Sequence, residues 1–167
     1  VFILDQTRLP FETIYLECTN HGMVADAIRS MKVRGAPAIG IAAAMGIALG
    51  ARDIGTGNSI DFMKAIEEIF AKMLSTRPTA VNIRWAVERL RRLLKDNGNM
   101  QVHALKSLLV KEANKILEED IEVNKRIGLL GAGLIKDGAV VLTHCNAGAL
   151  ATGGYGTATA PMLIAKE

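Results

Sequence analysis

Ala139-Val140-Val141-Leu142-Thr143-His144-Cys145-Asn146-Ala147-Gly148 reads as a short apolar strand running into a polar, glycine-containing loop. The run follows the turn Lys136-Asp137-Gly138 and is rich in Val and Leu, the pattern of a strand buried on both faces. Helical composition returns beyond the loop. A strand, a glycine-rich loop and then a helix is how an open, doubly wound α/β domain begins, and such domains bind ligands at the carboxyl ends of their strands. The expected class is therefore α/β overall. Residues 137–167 would be the first β-α unit of a Rossmann-like domain whose remainder lies outside the chain, and both ends of the sequence look cut.

Working outward, residues 1–136 read as a mainly helical N-terminal domain with a small β-hairpin. Val1 to Leu4 and Thr13 to Glu17 are short β-type runs around a loop. Val24, Ala27, Ile28 and Met31 share one helical face. A helix from about Ala38 to Ala51, apolar on every side, should be central. Phe62, Ile66, Ile69, Phe70 and Met73 mark a third helix. Thr79 is a plausible N-cap for a fourth, ending near Lys95. A long amphipathic stretch from Gln101 to Ile135 follows, with Leu105, Leu108, Ile116, Leu117, Ile121, Ile127 and Leu130 as its apolar seam.

Half of the 167 residues are hydrophobic and 22% are charged, so the chain can build a core. The net charge of +3 is small, and no basic stripe carries interleaved aromatics, which disfavours nucleic acid. Cys18 and Cys145 have no ligand spacing. That argues against a disulfide framework or a metal site and fits a reducing, cytoplasmic setting. The uncharged stretch Gly35 to Ala51 is too short and too rich in Gly and Ala for a membrane span. The stretch Ala139 to Ala165 is broken by polar residues and glycines.

Cys145 carries the sharpest chemical signal. A thiol at a strand end, just before a helix start, meets partial positive charge and free N–H groups that favour the thiolate. The competing reading is an inert buried cysteine. Cys18 has no such setting and reads as structural. His144 is poorly placed to activate its neighbour, because successive side chains on a strand point to opposite sides; a packing histidine is the alternative. Arg34-Gly35-Ala36-Pro37 offers a cation, a permissive glycine and helix N–H groups, a combination suited to phosphate. Arg77-Pro78-Thr79 repeats it, with Asn82 one turn inside the next helix. Each alone reads first as a surface arginine or a cap, and the two together raise the phosphate reading. Gly153-Gly154-Tyr155-Gly156-Thr157 lacks the pattern of a phosphate loop, and Asp5 and Arg8 are expected to fix the hairpin.

Four stretches occur in order: Leu4 to Thr7, Met31 to Gly40, Thr76 to Asn82, and Thr143 to Thr157. Together they resemble the methylthioribose-1-phosphate isomerase family, relatives of the α, β and δ regulatory subunits of translation initiation factor 2B. The resemblance covers essentially the whole chain. It implies an aldose–ketose isomerase converting 5-methylthioribose 1-phosphate to 5-methylthioribulose 1-phosphate in methionine salvage. Cys145 would be the catalytic thiol, Arg34 and Arg77 would hold the phosphate, Gly35 and Ala36 would add backbone contacts, and Asn82 would lie near the phosphate end. Asn146, Ala147 and Gly148 would line the sugar. No cofactor or metal is implied, and the family's habit points to a homodimer.

The family also needs an acidic residue and an Asn-Lys pair from the later domain, so this chain is expected to be active only with a C-terminal portion. Three rival readings are a ribose-1,5-bisphosphate isomerase, a non-enzymatic regulatory subunit, and a papain-like hydrolase using Cys145 with His21 or His103.

Overall fold

The computed structural model describes residues 1–166. Two three-residue strands, β1 (Phe2–Leu4) and β2 (Tyr15–Glu17), pair antiparallel with Ile3 opposite Leu16. Five helices follow: α1 (His21–Arg29), α2 (Ala36–Asp53), α3 (Ser59–Thr76), α4 (Val81–Asp96) and α5 (Val102–Ala132). A 3-10 turn at Ala149–Ala151 and a last helix, α6 (Ala160–Lys166), complete the described chain. The fold is thus mainly helical with one small antiparallel pair.

Asp5 fixes the loop between the strands as expected. Its carboxylate accepts from the Thr7 amide at 3.0 Å and the Thr7 hydroxyl at 2.6 Å, and it faces Lys32 at 3.8 Å. Arg8 braces the same loop through Glu12. Helix α2 is the hub, packing against α1, α3, α4 and α5. Twelve of its eighteen residues are buried, from Ala38 to Ala51, as its all-round apolarity required. All five apolar positions read into α3 are buried as well.

Asn20 caps α1 by accepting from the Met23 amide, and Asn58 caps α3 by accepting from Ile60 and Asp61. The expected cap at Thr79 does not form. Ala80 is the residue before α4, and no side chain bonds there. Met31 also departs from its expected place on the α1 face. That helix stops at Arg29, and Met31 takes a left-handed conformation at φ 60° with its side chain exposed.

Two larger differences concern the second half. The α5 seam holds at Leu105 and Ile116, but Ile127 and Leu130 are exposed, and the buried positions there are Asn124 and Gly128. Small residues let α6 lie directly on α5. A Cβ on Gly128 would come 3.0 Å from the Ala160 carbonyl, and one on Gly131 would come 2.7 Å from the Pro161 ring. The strand expected at Ala139 to Thr143 does not form either. Val140 and Leu142 are 100% and 96% exposed. A strand exists only as a hydrogen-bonded partner of another, and among the described residues the sole ladder is β1 with β2. None of the described helices is long and apolar enough to cross a membrane.

Candidate active site

The Arg34 turn is built by its glycine. Gly35 has φ 103°, a region open to glycine and closed to nearly all other residues. A Cβ there would overlap the backbone of Ala151. Gly35 therefore serves both as the entry to α2 and as the seat for the 3-10 turn that follows the Cys145 loop. Pro37 occupies the first turn of α2, where its missing N–H costs nothing. Gln6 adds a second tie, donating from its amide to the Leu150 carbonyl at 2.8 Å. The sequence reading missed Gln6; its signal was its place in the Leu4 to Thr7 motif.

Cys145 is exposed and unpaired, and so is not the inert buried thiol of the alternative reading. Burial instead describes Cys18, whose thiol desolvation pushes above the ordinary range. His144 is exposed too, and no described residue buries it. No helix starts directly after Cys145. Asn146-Ala147-Gly148 leads into a single 3-10 turn, then into the glycine turn, and α6 begins only at Ala160. Glycines at 148, 153, 154 and 156 disfavour a continuous helix across that span.

The glycine turn supports the Cys145 loop from below. A Cβ on Gly156, at φ 77°, would overlap Gly148 and the Ala147 carbonyl, so the two segments touch backbone to backbone. The Thr152 hydroxyl accepts from the Gly154 and Gly156 amides, each at 3.2 Å. The Thr159 hydroxyl lies 2.9 Å from the Tyr155 carbonyl and 3.3 Å from that of Ala147. Cys145 itself has φ 68° and Tyr155 has φ 66°. With Met31, these are the three non-glycine residues in the left-handed region among the described residues, and all three fall within the motif stretches. Strained backbone of this kind concentrates at functional sites.

Asn82, on the first turn of α4, lies against α2. A Cβ on Gly40 would approach its carbonyl oxygen to 3.0 Å. Asn82 lines a pocket of about 410 Å³ with Pro37, Trp85 and Asp120, so the starts of α2 and α4 converge on one cleft. Arg34 is exposed and Arg77 half-buried. Neither has an acidic partner among the described residues, in contrast with Arg8, Arg29, Arg52, Arg89 and Arg91. The structure thus joins Arg34, Gly35 and Ala36 to the segment that carries Asn146, Ala147 and Gly148, and sets Asn82 beside the first turn of α2. Arg77 stands at the end of α3, and no hydrogen bond ties it to the Cys145 loop.

Residues 32–165 match the model of the Initiation factor 2 subunit family. The chain belongs to that family. Among its relatives, the methylthioribose-1-phosphate isomerase of Geotalea uraniireducens is 50% identical over all 167 residues, which span 48% of the relative. That of Thermotoga maritima is 53% identical over 99% of this chain and 47% of its own length. The crystal structure of 5-methylthioribose 1-phosphate isomerase from Pyrococcus horikoshii OT3 superposes with a TM-score of 0.90 at 40% identity, over 95% of this chain and 44% of that one. Translation initiation factor eIF-2B, subunit delta, from A. fulgidus superposes at 0.89 with 41% identity, over 99% and 48%. The chain therefore spans about half the length of the family members it matches.

Proposed function

We propose that this chain is the N-terminal part of an aldose–ketose isomerase that converts 5-methylthioribose 1-phosphate to 5-methylthioribulose 1-phosphate. The observation that carries the reading is the seating of the Arg34-Gly35-Ala36 turn on Ala151, six residues beyond an exposed Cys145. That contact supports the reading, because the Arg34 turn lies against the segment that follows the Cys145 loop. The names of relatives at about half identity support the same substrate.

In this reading Arg34 and Arg77 grip the phosphate dianion, aided by the Gly35 and Ala36 backbone and by Asn82. Asn146, Ala147 and Gly148 line the sugar. The phosphate ester on C1 blocks ring opening until the ring oxygen takes a proton. C2 then loses a hydrogen as its hydroxyl becomes a carbonyl, and C1 gains one. Such a rearrangement needs an acid and a base on opposite sides of the sugar. Cys145 supplies one. An acidic residue from the second half of the protein supplies the other, within a doubly wound domain that begins near residue 137. Activity accordingly requires that half, and the complete protein works as a homodimer in the reducing cytoplasm.

The test uses the protein carrying this chain together with the second half found in its relatives. Cys145→Ser is expected to lower turnover by about 10²–10⁴-fold while substrate still binds. Near-normal turnover would end the proposal. The likeness to eIF-2B, subunit delta, favours a second reading, a regulatory subunit acting by protein contacts. Absence of isomerase activity with stoichiometric recovery of exchange-factor subunits would select it. Turnover of ribose 1,5-bisphosphate in place of the methylthio sugar would select the related isomerase.

A further inference from the structure

Among the described residues, Asp120 is the one charged side chain that ties the Cys145 loop assembly to the helical layer. It sits midway along α5, and its Oδ2 accepts from the Gly153 amide at 2.6 Å. Gly153 makes that approach possible. A Cβ there would stand 2.7 Å from Leu117 and 3.1 Å from the same carboxylate oxygen. Asn124, one turn further along α5 and only 3% exposed, steadies the carboxylate. Its Nδ2 donates to Asp120 Oδ2 at 3.0 Å and to the Asp120 carbonyl at 2.8 Å. A buried amide committed to a half-exposed carboxylate fixes that group's rotamer, and hydrogen bonds to an ionised acceptor are the strong ones.

The consequence follows along the chain. Gly153 adjoins Thr152, whose hydroxyl organises Gly154 and Gly156. Gly156 touches Ala147 and Gly148, and those residues lead back to Cys145. The other tie, from Gln6 to Leu150, is a neutral amide bond to the 3-10 turn itself. We infer that Asp120 is a positioning residue for Cys145: its bond to Gly153 sets the glycine turn on which the thiol-bearing loop rests. This rests on the reading of Cys145 as the reactive group, yet it is testable without turnover, so the two can fail separately.

The experiment uses the protein that carries this chain together with the second half found in its relatives. Amide hydrogen exchange is followed residue by residue, and iodoacetamide alkylation of Cys145 is followed by peptide mass, which separates it from Cys18. Asp120→Ala is expected to speed exchange of the Gly153, Gly154 and Gly156 amides by about 10–100-fold. Cys145 alkylation should change several-fold, while α2 and α3 amides keep their protection. Asp120→Asn, whose amide oxygen can still accept from Gly153, should restore most of both. Leu117→Ala, which loosens packing at the same glycine but leaves the bond, should move Cys145 alkylation far less. Equal effects of Asp120→Ala and Leu117→Ala would overturn the proposal, as would unchanged alkylation in Asp120→Ala or failure of Asp120→Asn to rescue. Should Asp120→Ala not fold, the unaltered chain decides: a Gly153 amide exchanging like that of an unstructured glycine would refute the bond.

Discussion

Along α3 five apolar residues at helical spacing are all buried, whereas in residues 139–143, at least as apolar, Val140 and Leu142 stand in solvent. The difference lies in the backbone. A helix closes its own hydrogen bonds and needs neighbours only for its side chains, so an apolar face finds the core directly. A strand needs a second chain for its main-chain groups as well. Residues 139–148 find no such partner among the described residues, whereas the helices pack against one another. The glycine-rich stretch that follows lies between these cases, held by single bonds at Gln6 and Asp120 and by close backbone contact at Gly35.

The contrast is sharpest for Phe70→Ala. It should cost about 3–5 kcal/mol, read as a fall in urea midpoint, because the side chain is fully buried in a finished core. Next comes Gly35→Ala, where strain at φ 103° adds to overlap with Ala151. A loss of about 2–4 kcal/mol in thermal unfolding is expected; a value near zero would mean that the Arg34 turn and the 3-10 turn are not joined. Arg89 bridges α4 to α5 through Glu112 at 2.6 Å and Glu119 at 2.5 Å, and Glu119 is held below the usual carboxylate range chiefly by that bond. Arg89→Ala should lose roughly 1–3 kcal/mol, and a double-mutant cycle with Glu119→Gln should show coupling.

A smaller effect depends on pH. Burial, with Lys72 nearby, lowers the His21 pKa below its ordinary value of about 6.5, although Asp53 opposes the shift. The unfolded chain then binds the proton more readily than the folded one. Stability should be complete above about pH 6.5 and decline as pH falls toward the lower folded value. His21→Gln should flatten that slope in chemical denaturation at matched pH values. The smallest effect is expected for Val140→Ser in this chain: a change within about 0.5 kcal/mol, since the side chain is fully exposed here.

Much of the helical layer could be read directly from residue spacing. Phe62 through Met73 and the all-apolar α2 followed from period alone, because burial of a helix face is a local consequence of pattern. Turn chemistry was less legible. Asn20 and Asn58 cap their helices, but Thr79 does not, since a cap depends on backbone angles that a single residue type does not set. The seam of α5 was misread past Ile121 because the helix meets α6 through Gly128 and Gly131, and small residues give no hydrophobic signal. In the candidate site, Arg34, Gly35 and Cys145 stood out in the sequence. Asp120 and Gln6 did not, since their value lies in accepting from, or donating to, one main-chain group far along the chain.

The left-handed turn at Cys145 also limits what could replace it. Glycine, asparagine and aspartate visit that backbone region with least penalty, and branched side chains such as valine or threonine are the poorest fit. A descendant that lost the thiol but kept this loop shape would thus have a short menu, with glycine or asparagine first. Such a protein would keep the architecture and lose the sulfur in a single step.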